Sequence, residues 1–191
     1  YTNSLKTILN SNYMKDKIND LNVEFYKYRK DVRWKMKRGI IKLYWIEKMQ
    51  LNEFIAVWLH EFAHYIDLYF LKNDFFNDKS KYFYNISWEK IKIIKAWQKQ
   101  KDFVSGYAMT NKYEDFAESL TYFVLHNWDF LEKTKKSEIL KNKYDFFTVH
   151  LFDKKEFTKT DFSIWNKIKT YYRDITKIEF SLEKLLEFLE K

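Results

Sequence analysis

Twenty-two consecutive residues, Gln50 to Leu71 (QLNEFIAVWLHEFAHYIDLYFL), constrain this chain more than any other stretch. The run is too long and too continuously apolar for a strand, and it reads as a buried helix of about six turns. Stepping round that helix by about 100° per residue gathers Glu53, His60, His64 and Asp67 into one narrow stripe. Ile55, Trp58, Leu59, Phe62, Ile66 and Phe70 cover much of the remainder. A polar stripe on a buried helix is expensive, on the order of a few kcal/mol for each uncompensated group. It therefore has to face a metal ion or a wet cleft.

Within the stripe, His60-Glu61-Phe62-Ala63-His64 has the form HExxH. Spacing by four puts both imidazoles on one helix face, where they can share a tetrahedral zinc ion. Glu61 is turned about 100° from His60, an awkward position for a ligand but one from which a carboxylate can take a proton from water. Asp67, three residues past His64, is a candidate to orient an imidazole from behind. His126 and His150 are isolated, each without a second His at metal-binding spacing, and read as structural or surface residues.

The 191-residue chain contains no Cys, so any metal site must be built from His, Asp and Glu. It also lacks Pro, has two Gly and is 21% aromatic, the composition of one helix-rich domain with a substantial core. The net charge of +8 comes from lysines spread along the chain and interleaved with acids, the pattern of solvated helix faces, so no nucleic-acid partner is expected. No apolar run reaches the roughly 18 residues of a membrane span, which reads as a soluble or peripheral chain.

Local patterns give a coarse map. Residues 5 to 20 read as a helix, and LNVEFYKY from Leu21 and GIIKLYWI from Gly39 read as strands of a small N-terminal sheet. Residues 72 to 86 read as a loop, Ser87 as the cap of a helix to about Lys101, and residues 102 to 110 as a loop around Gly106. A helix capped by Asn111 covers 111 to 128, and lysine-rich amphipathic helices follow from Phe130 to the end.

A catalytic zinc site needs a third protein ligand. Phe70 stands where the third His of an extended HExxHxxGxxH motif would be, which leaves an acidic residue from another helix. Glu114 and Glu118 lie one turn apart on one face of the helix after Asn111, with Asp115 turned away. Spacing leaves two readings: a ligand with a supporting carboxylate, or a capping-box-like start at Asn111 and Glu114 with Glu118 exposed and salt-bridged.

HEFAHYID followed by SGYAMTNKYEDFAE resembles the gluzincin-type zinc peptidases. The similarity is to the lethal-factor-like peptidases, including the Pro-Pro endopeptidases, and to the related zinc-binding metallopeptidases of bacterial surfaces. It covers roughly residues 54 to 125, with Ala63 where lethal-factor-like members often have Gly. The resemblance implies Glu114 as third zinc ligand, Glu118 as the carboxylate behind a ligating His, and Tyr107 as an electrophilic hydroxyl. It also implies an α+β, predominantly helical, zincin-like domain whose small N-terminal sheet packs on the HExxH helix, with a helical C-terminal part, and a secreted or cell-surface bacterial setting.

The expected activity is that of a zinc-dependent endopeptidase on a peptide or protein substrate, monomeric by default. Glu61 serves as general base, and Tyr107, on a loop made pliable by Gly106, hydrogen-bonds the oxyanion. The strand GIIKLYWI is expected to hold an extended peptide by edge pairing. The alternatives are an inactive zincin-fold binding protein, a toxin-like effector with one protein target, and hydrolysis of a carbonyl other than a peptide.

Overall fold

The computed structural model describes residues 2–12, 14–18, 21–28, 34–37, 40–44, 49–72, 78–153, 156–164 and 171–191. Apolar side chains from Leu5 to Leu189 form one contiguous core, with α2 (Leu51–Tyr65) through its middle. Every residue from Phe54 to Ala63 is buried, as the apolar run requires. The helix runs on into a π-helical turn, Ile66–Phe70, that buries Asp67.

Two short elements, α1 (Thr2–Asn10) and a 3₁₀ turn at Lys15–Lys17, stand where one helix over 5 to 20 was expected. Next comes a three-stranded sheet of β1 (Asn22–Tyr26), β2 (Trp34–Lys37) and β3 (Ile40–Tyr44) in the order β1-β3-β2. β1 runs parallel to β3 and β2 antiparallel. Ile41 and Leu43 alternate inward from β3, Phe25 meets Phe54 with ring centroids 6.1 Å apart, and the sheet packs on α2. Because β3 is flanked on both sides, Ile40–Tyr44 cannot pair with a peptide, which removes the edge pairing expected for GIIKLYWI. Trp45 and Ile46 of that segment lie outside the described residues.

Residues 80 to 101 depart most from expectation. α3 (Ser80–Ser87) occupies part of the expected loop, burying Ser80, Phe83, Tyr84 and Ser87 at helical spacing. Ser87 ends that helix rather than starting another. The chain then forms a hairpin, β4 (Trp88–Lys90) and β5 (Ile93–Ile94), where a helix to Lys101 was expected. Ile93 and Ile94 are β-branched and favour extended backbone over helix, and Ile94 faces Trp88 across the ladder.

α4 (Lys112–Leu125) starts as expected: Asn111 Oδ1 accepts hydrogen bonds from the Tyr113 and Glu114 amides at 2.9 and 3.1 Å. Among the described elements it packs most extensively on α2. It breaks at His126, and α5 (Asn127–Thr134) and α6 (Glu138–His150) follow. The rest is less helical than its lysine-rich pattern suggested. Between α6 and α7 (Leu182–Leu189) the described residues hold a 3₁₀ turn at Ile175–Lys177 and an isolated antiparallel bridge between Ser163 and Phe180. The architecture is thus mixed α and β, mostly helical, with small sheets. Among the described residues, no helix is long and apolar enough to cross a membrane.

Candidate metal centre

His60 and His64 share the face of α2 turned toward α4, and the ligand atoms of His60, Glu61 and His64 lie within 4.8 Å of one another. His60 and Glu61 are buried and His64 is half-buried. α4 completes the cluster: Glu114 Oε2 lies 3.1 Å from His60 Nε2 and 3.3 Å from His64 Nε2. Donors held about 2.0–2.1 Å from one tetrahedral ion are roughly 3.3 Å apart, so two edges of a zinc tetrahedron are already present in the side-chain positions. All three donors are nitrogen or oxygen, a set zinc accepts, and His60, His64 and Glu114 would hold the ion.

Behind the cluster, Glu118 is fully buried, which excludes the exposed, salt-bridged alternative for this residue. Its Oε1 meets His60 Nδ1 at 3.0 Å, and its Oε2 accepts from Ser105 Oγ at 2.5 Å and from the Ile175 amide at 2.9 Å. Ser105 Oγ in turn accepts from the Ala108 amide at 3.0 Å. A carboxylate on Nδ1 fixes the tautomer that presents Nε2 as a ligand lone pair. Sequence reasoning missed Ser105 and Ile175. Ser105 could have been read from its place two residues before Tyr107, whereas a backbone amide has no sequence signature.

Without an ion, the same geometry charges the imidazole. Burial works to depress the His60 pKa, yet hydrogen bonds to Glu114 and Glu118 on its two nitrogens outweigh burial and raise it. Burial likewise works to raise Glu114, and the hydrogen bonds from His60 and His64 hold its carboxyl low.

Tyr107 places its ring centroid 6.0 Å from that of His60. Its loop is pinned rather than pliable: the Gly106 amide donates to Tyr172 O at 3.1 Å and the Tyr107 amide to Arg173 O at 2.6 Å. Gly106 has φ −68°, open to any residue, and a Cβ there would meet only ordinary contacts, the nearest at 3.5 Å. Burial, followed by the charges of Glu114, Glu118 and Glu61, pushes the Tyr107 hydroxyl up to about 12, so it stays a hydrogen-bond donor at neutral pH.

Other members of the polar stripe serve elsewhere. Asp67 accepts from Tyr84 Oη, 2.6 and 2.5 Å from its two oxygens, and burial raises its pKa. Its carboxylate reaches His64 only through space, so among the described residues the positioning of an imidazole falls to Glu118. Glu53 is ion-paired with Lys177. His126 is buried where α4 breaks, and His150 stacks on Tyr82 with centroids 6.1 Å apart. Both lie off the stripe, in keeping with a structural role.

Comparison of the chain with protein-family models, with curated proteins and with solved structures finds no match.

Proposed function

We propose that the protein is a zinc-dependent endopeptidase with its metal on His60, His64 and Glu114. The observation that carries this reading is the position of Glu114 Oε2, at tetrahedral-edge distance from both Nε2 atoms, combined with the Glu118 carboxylate on His60 Nδ1. A metal bound there supplies Lewis-acid polarisation of a carbonyl and activation of water at neutral pH.

The chain's own groups supply the rest. Glu61, adjacent to His60 on α2 and buried, takes a proton from the attacking water on its carboxylate and returns it to the departing amine. Tyr107, with its hydroxyl held protonated, donates a hydrogen bond to the oxygen that gains charge as the carbonyl is attacked. Glu118, anchored by Ser105 and Ile175, keeps the His60 ring from rotating during the cycle.

Digestion of a mixed peptide library by the wild type and by Glu61→Ala tests the reading. Internal cleavage by the wild type, lost in the variant, supports it. Cleavage that persists in Glu61→Ala removes Glu61 as the base, and no cleavage by zinc-loaded wild type removes the peptidase.

A further inference from the structure

The β4–β5 hairpin has its base in the core and its far end in solvent. Trp88, opposite Ile94, is buried and donates its indole N–H to Asp115 at 2.9 Å. The Lys95 amide closes the base on Ser87 O at 3.0 Å, and the Lys112 amide, at the start of α4, donates to Ile91 O in the turn at 3.0 Å. The turn backbone is therefore fixed. The side chains it carries are not packed: Ile91 is 49% exposed, Ile93 46% and Trp97, just beyond, 67%.

Scattered exposed apolar residues are ordinary, but three large ones within seven residues, on a fixed turn and the segment after it, are not. Five lysines (90, 92, 95, 99 and 101) flank them in sequence against a single Glu89 between Trp88 and Lys101, with Lys95 Nζ donating to Asn85 O. We infer that this hairpin docks the protein on an anionic lipid bilayer, with Ile91, Ile93 and Trp97 entering the interface and the lysines meeting acidic headgroups. Aliphatic tips flanked by cations, with an indole beside them, suit the boundary between headgroups and acyl chains. Phosphates of a nucleic acid would use the lysines but leave the isoleucines in water. Exposed side chains on a turn, unlike a groove, enter a deformable lipid surface without needing a shaped partner.

Because Lys112 begins the helix that carries Glu114, docking brings the candidate metal centre close to the bilayer surface. The inference rests on the hairpin alone and stands or falls separately from the peptidase reading.

Cosedimentation of the intact protein with phosphatidylcholine vesicles, and with vesicles that also contain phosphatidylglycerol, tests it. Binding is expected only to the anionic vesicles. Ile91→Asp/Ile93→Asp and Lys90→Glu/Lys92→Glu should each weaken it at least about tenfold, with circular dichroism unchanged. No binding by the wild type overturns the inference. So does loss with the lysine pair alone, which would indicate an acidic polymer or protein surface. Should either variant misfold, brominated lipid decides the matter: it should quench wild-type fluorescence more than that of Trp97→Phe, and equal quenching overturns the inference.

Discussion

His60 lies between two carboxylates, Glu118 on Nδ1 and Glu114 on Nε2, and this explains why a buried imidazole with a raised pKa is tolerated. An ion on Nε2 turns the same arrangement into a neutral ligand with a carboxylate behind it. Glu118→Gln should lower zinc affinity about ten- to a hundredfold, measured by competition with a chromophoric chelator. Tyr107→Phe should retain zinc and lower kcat about a hundredfold with little change in KM, because its hydrogen bond forms as charge develops. At this scale the histidine pair was legible from spacing on one helix. Glu114 and Glu118 were legible as a pair on one face, but only their approach to α2 shows that Glu114 meets His60 Nε2 and Glu118 meets Nδ1. The Ile175 amide, 57 residues from Glu118, had no signal at all.

The helix that brings Glu114 to the histidines is held from its other side. Asp115, turned away from the cluster as its spacing predicts, is fully buried with Lys143 of α6 at 2.8 Å, and it also accepts the Trp88 indole N–H. Lys143 Nζ donates further to Asp102 O at 3.1 Å and sits 4.0 Å from the Phe103 ring centroid. Burial pushes both groups toward neutrality, lowering Lys143 and raising Asp115, and their mutual attraction opposes it. Lys143→Ala leaves a buried carboxylate without its cation and should cost about 3–5 kcal/mol in urea unfolding. The double change Lys143→Met with Asp115→Leu should recover most of that loss. Lys143 reads from sequence as one more surface lysine on an amphipathic helix, because charge pattern alone does not reveal a buried partner. The hairpin and α3 were misread for a related reason. In WEKIKIIKAW the lysines suggested a helical surface, whereas the β-branched isoleucines favoured extended backbone.

Across the whole molecule, the mixed, mostly helical class and the central helix followed from composition and from one apolar run. The described residues from 151 to 160 did not, because unusual backbone shapes them more than pattern does. With only two glycines in the chain, Asp153, Phe157 and Lys159 adopt φ of 43°, 58° and 63°. Phe157 holds that conformation while fully buried against Phe152 and Phe188.

His126 makes global stability depend on pH. Burial drops its pKa from the usual 6.5 to about 3, so the folded state favours the neutral ring. Its contribution is complete above about pH 6.5 and is lost as pH falls toward 3, at up to roughly 1.4 kcal/mol per pH unit. Urea midpoints measured across that window should fall less steeply in His126→Phe than in the wild type.

The central claim is that α2 and α4 together hold one zinc ion. Zinc per chain, measured by elemental analysis after reconstitution and exhaustive dialysis, tests it most directly. One equivalent in the wild type, lost in folded His60→Ala and Glu114→Ala, is the predicted result. No zinc in the wild type, or a full equivalent retained by both variants, would contradict it.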